Sequence, residues 1–446
     1  MELLINALEM LNKYPLCDHC LGRQFALLGY NIENNERGKA LKLALVLQSN
    51  QFYSERNQQG YDTLNMLMVN GLSQVAKDTL EHLEKNVIDV SKIQNCFLCD
   101  NKFQSLENII LIILESITGY DFETFLVGIE LPVEIEERND EFKALFNVVY
   151  GESLRHEFAR LIGKKIAGLT NKIPEYANPD IQIIVNPFTM KIRLQVNPLF
   201  IAGRYKKFVR TLPQSKWYCV KCRGNGCSKC NGTGKLYSES VEELVSEPLL
   251  EITDCEKTIF HASGREDIDA LMLGAGRPFV IEISKPKKRF LNLDLLMKKI
   301  NKIAEKKVEV SNLQYVNKNF VRQLKKGESA KKEYRALVEF ENEISQASMA
   351  ILEDKLAKIS IKQQTPKRVL HRRADLTRER YIYNLNVKRV SPKRVEIKIL
   401  CQGGLYIKEL VSGDGGRTMP SISSLLENQA KTLELDVLNV ITNDKK

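Results

Sequence analysis

The sequence predicts a mixed α/β chain of two or three domains, and three observations carry that expectation. The hydrophobic period changes along the chain. Leu154, Phe158, Leu161 and Ile162 recur at helical spacing, whereas the runs from Phe279 to Ile283 and from Glu333 to Phe340 alternate in twos. With 446 residues, 43% of them hydrophobic, there is ample material for more than one buried core. Eight of the ten cysteines form CxxC pairs, which in a reducing compartment signal metal or redox chemistry rather than structural disulfides.

Composition bounds the function next. A charged fraction of 27% suits a soluble globular protein, and no run approaches the roughly 18 apolar residues of a membrane helix; Ile109 to Leu114 reads as a short core segment. The start, Met1-Glu2-Leu3-Leu4, lacks a basic region and a small-residue cleavage site, so a cytoplasmic location is expected, with no membrane and no obligate protein partner. Net charge is +10, and its distribution says more than its sum. Between Ser360 and Val395 eleven Lys or Arg face only Asp375 and Glu379, a local +9 that is an electrostatic footprint for phosphates.

From the N-terminus, the pairs Cys17/Cys20 and Cys96/Cys99 each offer two thiolates from one turn, and two such turns complete a closed tetrahedral zinc site. Spacing alone leaves open which pairs meet. Tyr120 to Ile135 reads as strand or loop, Glu152 to Ile166 as a basic amphipathic helix, and Ile181 to Val185 and Lys191 to Val196 as strands around the turn at Asn186-Pro187. The basic cluster Arg204-Tyr205-Lys206-Lys207 suits phosphate contacts with one aromatic available for stacking; otherwise it is a solvated turn. In Cys219-x-x-Cys222 and Cys227-x-x-Cys230 only four residues separate the pairs. Glycines would permit the reversal needed for a second zinc site; the alternative is a glycine-rich linker with reduced thiols. A linker is expected from Lys235 to Glu243.

In the second half, Gly264-Arg265-Glu266-Asp267 places a carboxylate next to a residue that tolerates unusual backbone angles, before the strand that starts after Pro278. Leu291 to Val308 reads as a Lys-rich helix. Lys332-x-Tyr334-x-Ala336 sits in an alternating strand, Gln364 to Asp375 reads as strand and loop, and Gly403-Gly404 followed by Tyr406-Ile407-Lys408-x-Leu410 reads as a strand meeting a helix. No Walker A loop and no convincing GxGxxG is present, so no organic cofactor is expected.

These motifs, in this order, resemble the archaeal and eukaryotic tRNA pseudouridine synthases of family ten. Gly264-Arg265-Glu266-Asp267 is similar to the Gly-Arg-x-Asp loop of pseudouridine synthases, and Asn197 to Lys207 with the helix before it resembles a THUMP domain, an RNA-binding module. The resemblance implies a zinc-bearing, THUMP-containing domain over 1–235 (THUMP about 75–205, CxxC segment 217–234) and a synthase domain over 244–446 with a bent, mostly antiparallel mixed sheet flanked by helices. It implies one structural zinc on Cys17, Cys20, Cys96 and Cys99, and a tRNA partner gripped at the TΨC arm, with uridine 55 and often 54 as target. Asp267 would be the nucleophile, with Asp269 its rival in the same loop. Tyr334 would stack on the uracil and assist in removing the C5 proton, Lys408 would pair with the aspartate, and Arg265 would be the second cation. Tyr406 and Leu410 would line the site, while Arg204, Lys206, Lys207, Arg372 and Arg373 would hold phosphates. Two other classes compete: a THUMP-bearing methyltransferase or thiolase, disfavoured by the missing nucleotide loop, and a non-catalytic zinc adaptor, disfavoured by Asp267, Tyr334 and Lys408 standing together.

Overall fold

The chain divides after Asn197 into two compact units, 1–197 and 198–446, in a computed structural model that describes residues 2–84, 94–326 and 330–441. In the first unit come helices α1 (Glu2–Lys13), α2 (Asp18–Gly22), α3 (Asn34–Ser54), α4 (Gln58–Val69), α5 (Gln74–Glu84) and α6 (Leu106–Ile117). Strand β1 (Thr124–Ile129), helices α7 (Val133–Leu145) and α8 (Leu154–Thr170), and strands β2 (Ile173–Pro174), β3 (Ile181–Asn186) and β4 (Lys191–Val196) follow. The strands make a sheet in the order β2-β1-β3-β4. Helix α8 forms where its period placed it. The Ser153 hydroxyl accepts the His156 N–H at its start, and Leu154, Phe158, Ile162 and Ile166 bury along one stripe. The stretch from Tyr120 to Ile135 resolves into β1 and the first turn of α7.

The second unit runs β5 (Leu199–Lys207), α9 (Val241–Thr253), β6 (Lys257–Ala262), β7 (Ala270–Ser284), α10 (Leu293–Ile303), β8 (Val308–Val316), α11 (Lys318–Lys326) and β9 (Lys331–Phe340). It continues through α12 (Gln346–Leu356), β10 (Ile359–Gln364), β11 (Thr377–Ser391), β12 (Arg394–Gln402), α13 (Ile407–Ser412), β13 (Thr418–Met419), α14 (Ile422–Leu426) and β14 (Ala430–Ile441). Nine of its strands follow one another in the order β13-β10-β11-β12-β9-β14-β7-β5-β8, with β6 paired to β7. Among the described residues every pairing in this sheet is antiparallel except β14 with β7. Strand β7 splits its partners: Ala270 to Met272 run beside β14, and Arg277 to Ser284 beside β5 and β6, with Gly274 and Gly276 at positive φ between. One core lies under α12 and α13 against β9, β11 and β12; another lies under α9 and α10 against β5, β7 and β8.

Four expectations change here. The strand at Leu199–Lys207, assigned from sequence to the first domain, belongs to the second sheet, because its backbone pairs with β7 and β8. The segment with the last four cysteines therefore also falls in the second unit. The helix expected over Leu291 to Val308 stops at Ile303, and its last residues begin β8. After β10 the basic run turns into a 3-10 helix over Lys367–Arg372 instead of a loop. Among the described residues no helix is long and apolar enough to cross a membrane.

Candidate active site

Asp267 stands in the connection 263–269 between β6 and β7, at the wall of an 830 Å³ cavity in the second unit. The chain enters that connection through Gly264 at φ +78°, where a Cβ would come 3.0 Å from Lys332 Nζ and 3.2 Å from Arg277 Nη1. Two cations reach the carboxylate. Arg368 Nη1 lies 3.1 Å from Asp267 Oδ1, and Lys408 Nζ 3.6 Å from Oδ2. Arg368 is itself fixed from behind, because its Nε donates to Glu409 Oε1 at 2.7 Å and Glu409 is buried.

Lys408 is closer to Asp269, at 2.7 and 2.9 Å to its two oxygens. Burial would raise the Asp269 carboxyl, but the hydrogen bond and charge of Lys408 outweigh it and hold the group below its ordinary range. The two acids thus differ in place. Asp267 lines the cavity at 30% side-chain exposure, whereas Asp269 is 63% exposed and serves as the anchor of Lys408.

Tyr334 lies on β9, packed between the two cores of the unit and lining the same cavity. Burial, then the neighbouring Cys401, pushes its phenol well above the ordinary value, so it remains a neutral ring. The assistance in proton removal expected of it would have to come from that neutral form, since an ionised phenolate is disfavoured. Tyr406 precedes α13; its backbone exchanges hydrogen bonds with the Gln363 side chain, and its hydroxyl accepts Arg373 Nη1 at 2.9 Å. Ala270, Leu405, Ile407, Leu435 and Val437 supply the apolar lining.

Several expected residues fall elsewhere. Leu410 is fully buried in the core with Leu405 and Leu435 and is not itself among the lining residues. Arg265 lines the same cavity as Asp267, with its guanidinium 5.1 Å from the centre of the Trp217 ring, and Arg368 is the arginine 3.1 Å from the Asp267 carboxylate. The cluster Arg204 to Lys207 is not a turn but the end of strand β5. Tyr205 and Lys207 have no exposed surface, Arg204 donates to the carbonyls of Ala275, Gly276 and Val440, and Lys206 pairs with Glu309 at 3.3 Å. Burial takes Tyr205 and Lys207 out of reach of a ligand, whereas Arg204 and Lys206 are only partly buried. Arg373 does line the cavity, while the Arg372 side chain lies outside the described residues. Arg368, Arg378 and Arg380, which no sequence motif marks out, also line the cavity. All three lie in the +9 segment, and the two-residue step from 378 to 380 in a strand was the available signal that they share a face.

The cysteines gather as two quartets. In each of Cys17, Cys20, Cys96, Cys99 and Cys219, Cys222, Cys227, Cys230 the sulfur atoms all lie within 4.8 Å of one another. Cys17 and Cys99 are 3.6 Å apart, and Cys222 and Cys230 3.7 Å. A zinc with sulfurs at about 2.3 Å in a tetrahedron needs edges of roughly 3.8 Å, so both quartets fit it. The first is tied across its long gap by Phe97 N–H donating to Pro15 O at 2.7 Å. The second closes over its short gap because Gly226, at φ +83°, lets the backbone pass where a Cβ would strike Gly232 O at 2.6 Å.

A model of the family described as Pus10, C-terminal, matches residues 200–441, and one described as Pus10 THUMP domain, archaeal, matches 112–186. The chain belongs to the Pus10 family of tRNA pseudouridine synthases. It is 44% identical over 439 residues to the tRNA pseudouridine synthase Pus10 of Methanocaldococcus jannaschii, covering 98% of this chain and 94% of that one. The Pus10 proteins of Methanothrix thermoacetophila and Pyrococcus furiosus are 36% and 35% identical, each over 98% of this chain and over 94% and 98% of their own lengths. The Pus10 THUMP match ends at 186, in keeping with β5 lying in the second sheet.

Gly264→Ala should test the loop geometry. The left-handed backbone and the crowding by Lys332 and Arg277 should cost about 1–2 kcal/mol and displace the aspartate. The expected outcome is a small fall in thermal stability with a larger fall in turnover, read by paired melting and single-turnover measurements.

Proposed function

We propose that this chain converts uridine to pseudouridine in the TΨC arm of tRNA, at position 55 and also at 54, with Asp267 as the nucleophile. The observation that carries the reading is Asp267 at the cavity wall between Arg368 and Lys408, with the Tyr334 ring lining the same space. The reaction breaks the N1–C1′ bond, turns the base, and forms C5–C1′, with the C5 proton lost and one gained at N1. Nothing is oxidised and no group is donated from outside. An ionised carboxylate facing the ribose is what such a step requires. A flipped nucleotide would strip water from it, at a cost of several kcal/mol unless cations compensate, and two are already in place. The +9 segment would hold the RNA backbone around the cavity, with Arg373 at its edge.

Incubation with a tRNA transcript, followed by carbodiimide and primer-extension mapping, should show pseudouridine in the TΨC arm. Asp267→Asn should abolish it while tRNA affinity stays within about twofold. Loss of product with Asp269→Asn, and retention with Asp267→Asn, would move the nucleophile two residues along.

Both cysteine quartets would hold structural zinc, which contributes folding energy through a closed thiolate site. Metal analysis of a Cys17→Ser, Cys20→Ser double variant should show one zinc fewer per chain and a lower melting temperature; unchanged zinc content would refute this assignment of the first quartet.

Neutralising Arg372 and Arg373 should weaken binding of any tRNA and flatten the plot of log affinity against log salt by about 0.7–0.9 for each phosphate no longer neutralised. The single-turnover rate at saturating tRNA should change much less. A collapsed rate with unchanged affinity and salt slope would place these arginines in the chemistry instead.

A further inference from the structure

The catalytic connection is held from beneath through its own backbone. Arg277 Nη1 donates to Ser263 O at 2.7 Å, and Gln214 Nε2 to Gly264 O at 3.1 Å. Lys207 Nζ donates to Ile268 O at 2.8 Å and to Asp267 O at 3.4 Å, and Arg210 Nη1 to Asp269 O at 3.1 Å. The Glu266 side chain points down into the same layer. It pairs with Arg277 at 2.8 Å and accepts the Tyr205 hydroxyl at 2.9 Å, and that hydroxyl accepts Gln214 Nε2 at 2.7 Å. Five of the seven backbone carbonyls from 263 to 269, and one side chain, are thus engaged by Arg277 and by four residues of the run 205–214.

We propose that the run 205–214 is a positioning device for the catalytic aspartate, and that Lys207 is the residue on which the aim of Asp267 depends. The proposal rests on Asp267 being the nucleophile. An ammonium has three donors and no acceptor, and Lys207 finds three carbonyls: Leu212 at 2.8 Å completes the set with Asp267 and Ile268. It is fully buried, although an unpaired charge there would cost several kcal/mol and an apolar side chain of similar length would fill the same space without that cost. Loops are ordinarily the mobile part of a fold, whereas a nucleophile must be held to a fraction of an ångström; a displacement of about 1 Å can cost on the order of a hundredfold in rate. Lys207 also sets a positive charge directly beneath the residue whose carboxylate has to stay ionised. Tyr205, Lys207, Arg210 and Gln214 act through the loop, so they are positioning residues and not catalytic ones.

The same geometry gives a readout that a merely structural lysine would not move. Lys207 faces Glu266, Asp267 and Asp269 of the loop and Arg277 of β7, with Arg210 and Asp436 beside them. Burial outweighs the three carboxylates and lowers its pKa to about 8. Above that pH the amine keeps two donors for three carbonyls and loses its charge. Stability runs the other way. A lysine depressed in the folded state and ordinary, near about 10.4, in the unfolded chain makes the fold gain stability as pH rises between the two values. Positioning should therefore weaken over a window in which this group makes the fold firmer.

The test uses the full-length protein and a tRNA transcript. Single-turnover rate at saturating tRNA, tRNA affinity and melting temperature are measured from pH 6.5 to 9.5 for wild type, Lys207→Met and Tyr205→Phe. Expected are a rate about a hundredfold lower for Lys207→Met and about tenfold lower for Tyr205→Phe, with affinity within about twofold. The wild-type rate should fall above pH 8 relative to Lys207→Met, without a matching fall in melting temperature. If Lys207→Met does not fold, the Tyr205→Phe rate and the wild-type limb decide. A Lys207→Met rate within about threefold of wild type, or a Tyr205→Phe rate equal to wild type with no limb, overturns the proposal. So does a loss confined to tRNA affinity, which would return Lys207 to phosphate binding. Asp267→Asn, run in parallel, separates the two ideas: activity there defeats the nucleophile assignment, whereas an inactive Asp267→Asn beside a fully active Lys207→Met defeats only the positioning role.

Discussion

Strand β14 enters between β9 and β7, and the site depends on that insertion. Its Val437 pairs with Tyr334 on one side and with Met272 on the other, and its Leu435 pairs with Ala336 and with Ala270. Neighbouring strands lie about 4.8 Å apart, so one intervening strand fixes the aromatic ring and the root of the aspartate connection roughly 10 Å from each other across the sheet. Leu435 and Val437 of β14, within that gap, line the cavity. The cavity is framed by the last described strand and by strands more than a hundred residues earlier, so its geometry exists only once the unit is closed.

Charge is layered around this frame. Above the connection, Arg368 and Lys408 face Asp267, each also paired with a second acid, Glu409 or Asp269. Below it, Arg277 and Lys207 face Glu266 and the loop carbonyls in full burial. The two layers differ in solvent access, and so in what they contribute. The upper pairs are partly exposed and individually weak, which lets an entering nucleotide rearrange them. The lower pairs would leave an uncompensated buried charge if broken, which makes them rigid.

Much of this was legible in advance, for reasons that can be named. The strand at Phe279 to Ile283 and helix α8 were readable because local period reports which face is buried. The CxxC pairs were readable because a CxxC turn is a local device, although which pairs meet was not, and the start of α13 at Ile407 followed from a glycine pair before a helix-period run. Asp267, Tyr334 and Lys408 were found through motifs with characteristic neighbours, and all three meet at one cavity. Arg368 was passed over because eleven basic residues in one segment look alike until a fold decides which one turns inward. The burial of Tyr205 and Lys207 was hidden for the opposite reason. A run of polar residues looks like a solvated surface, and nothing local shows that these two side chains will lose all exposed surface.

The sequence by itself determined the local matters: the elements with a clear period, the cysteine knuckles, the loop that carries the aspartate and the concentration of charge that suits RNA. Tertiary structure alone decided which of the two loop acids faces the cavity, which arginine reaches it, where the first unit ends, and that Lys207 is buried. The physical reason is range. Period, turn chemistry and knuckle spacing act within a few residues. Burial of a charge and the pairing of cations with acids are settled by contacts between segments such as Lys207 with Ile268 and Arg368 with Asp267, 61 and 101 residues apart.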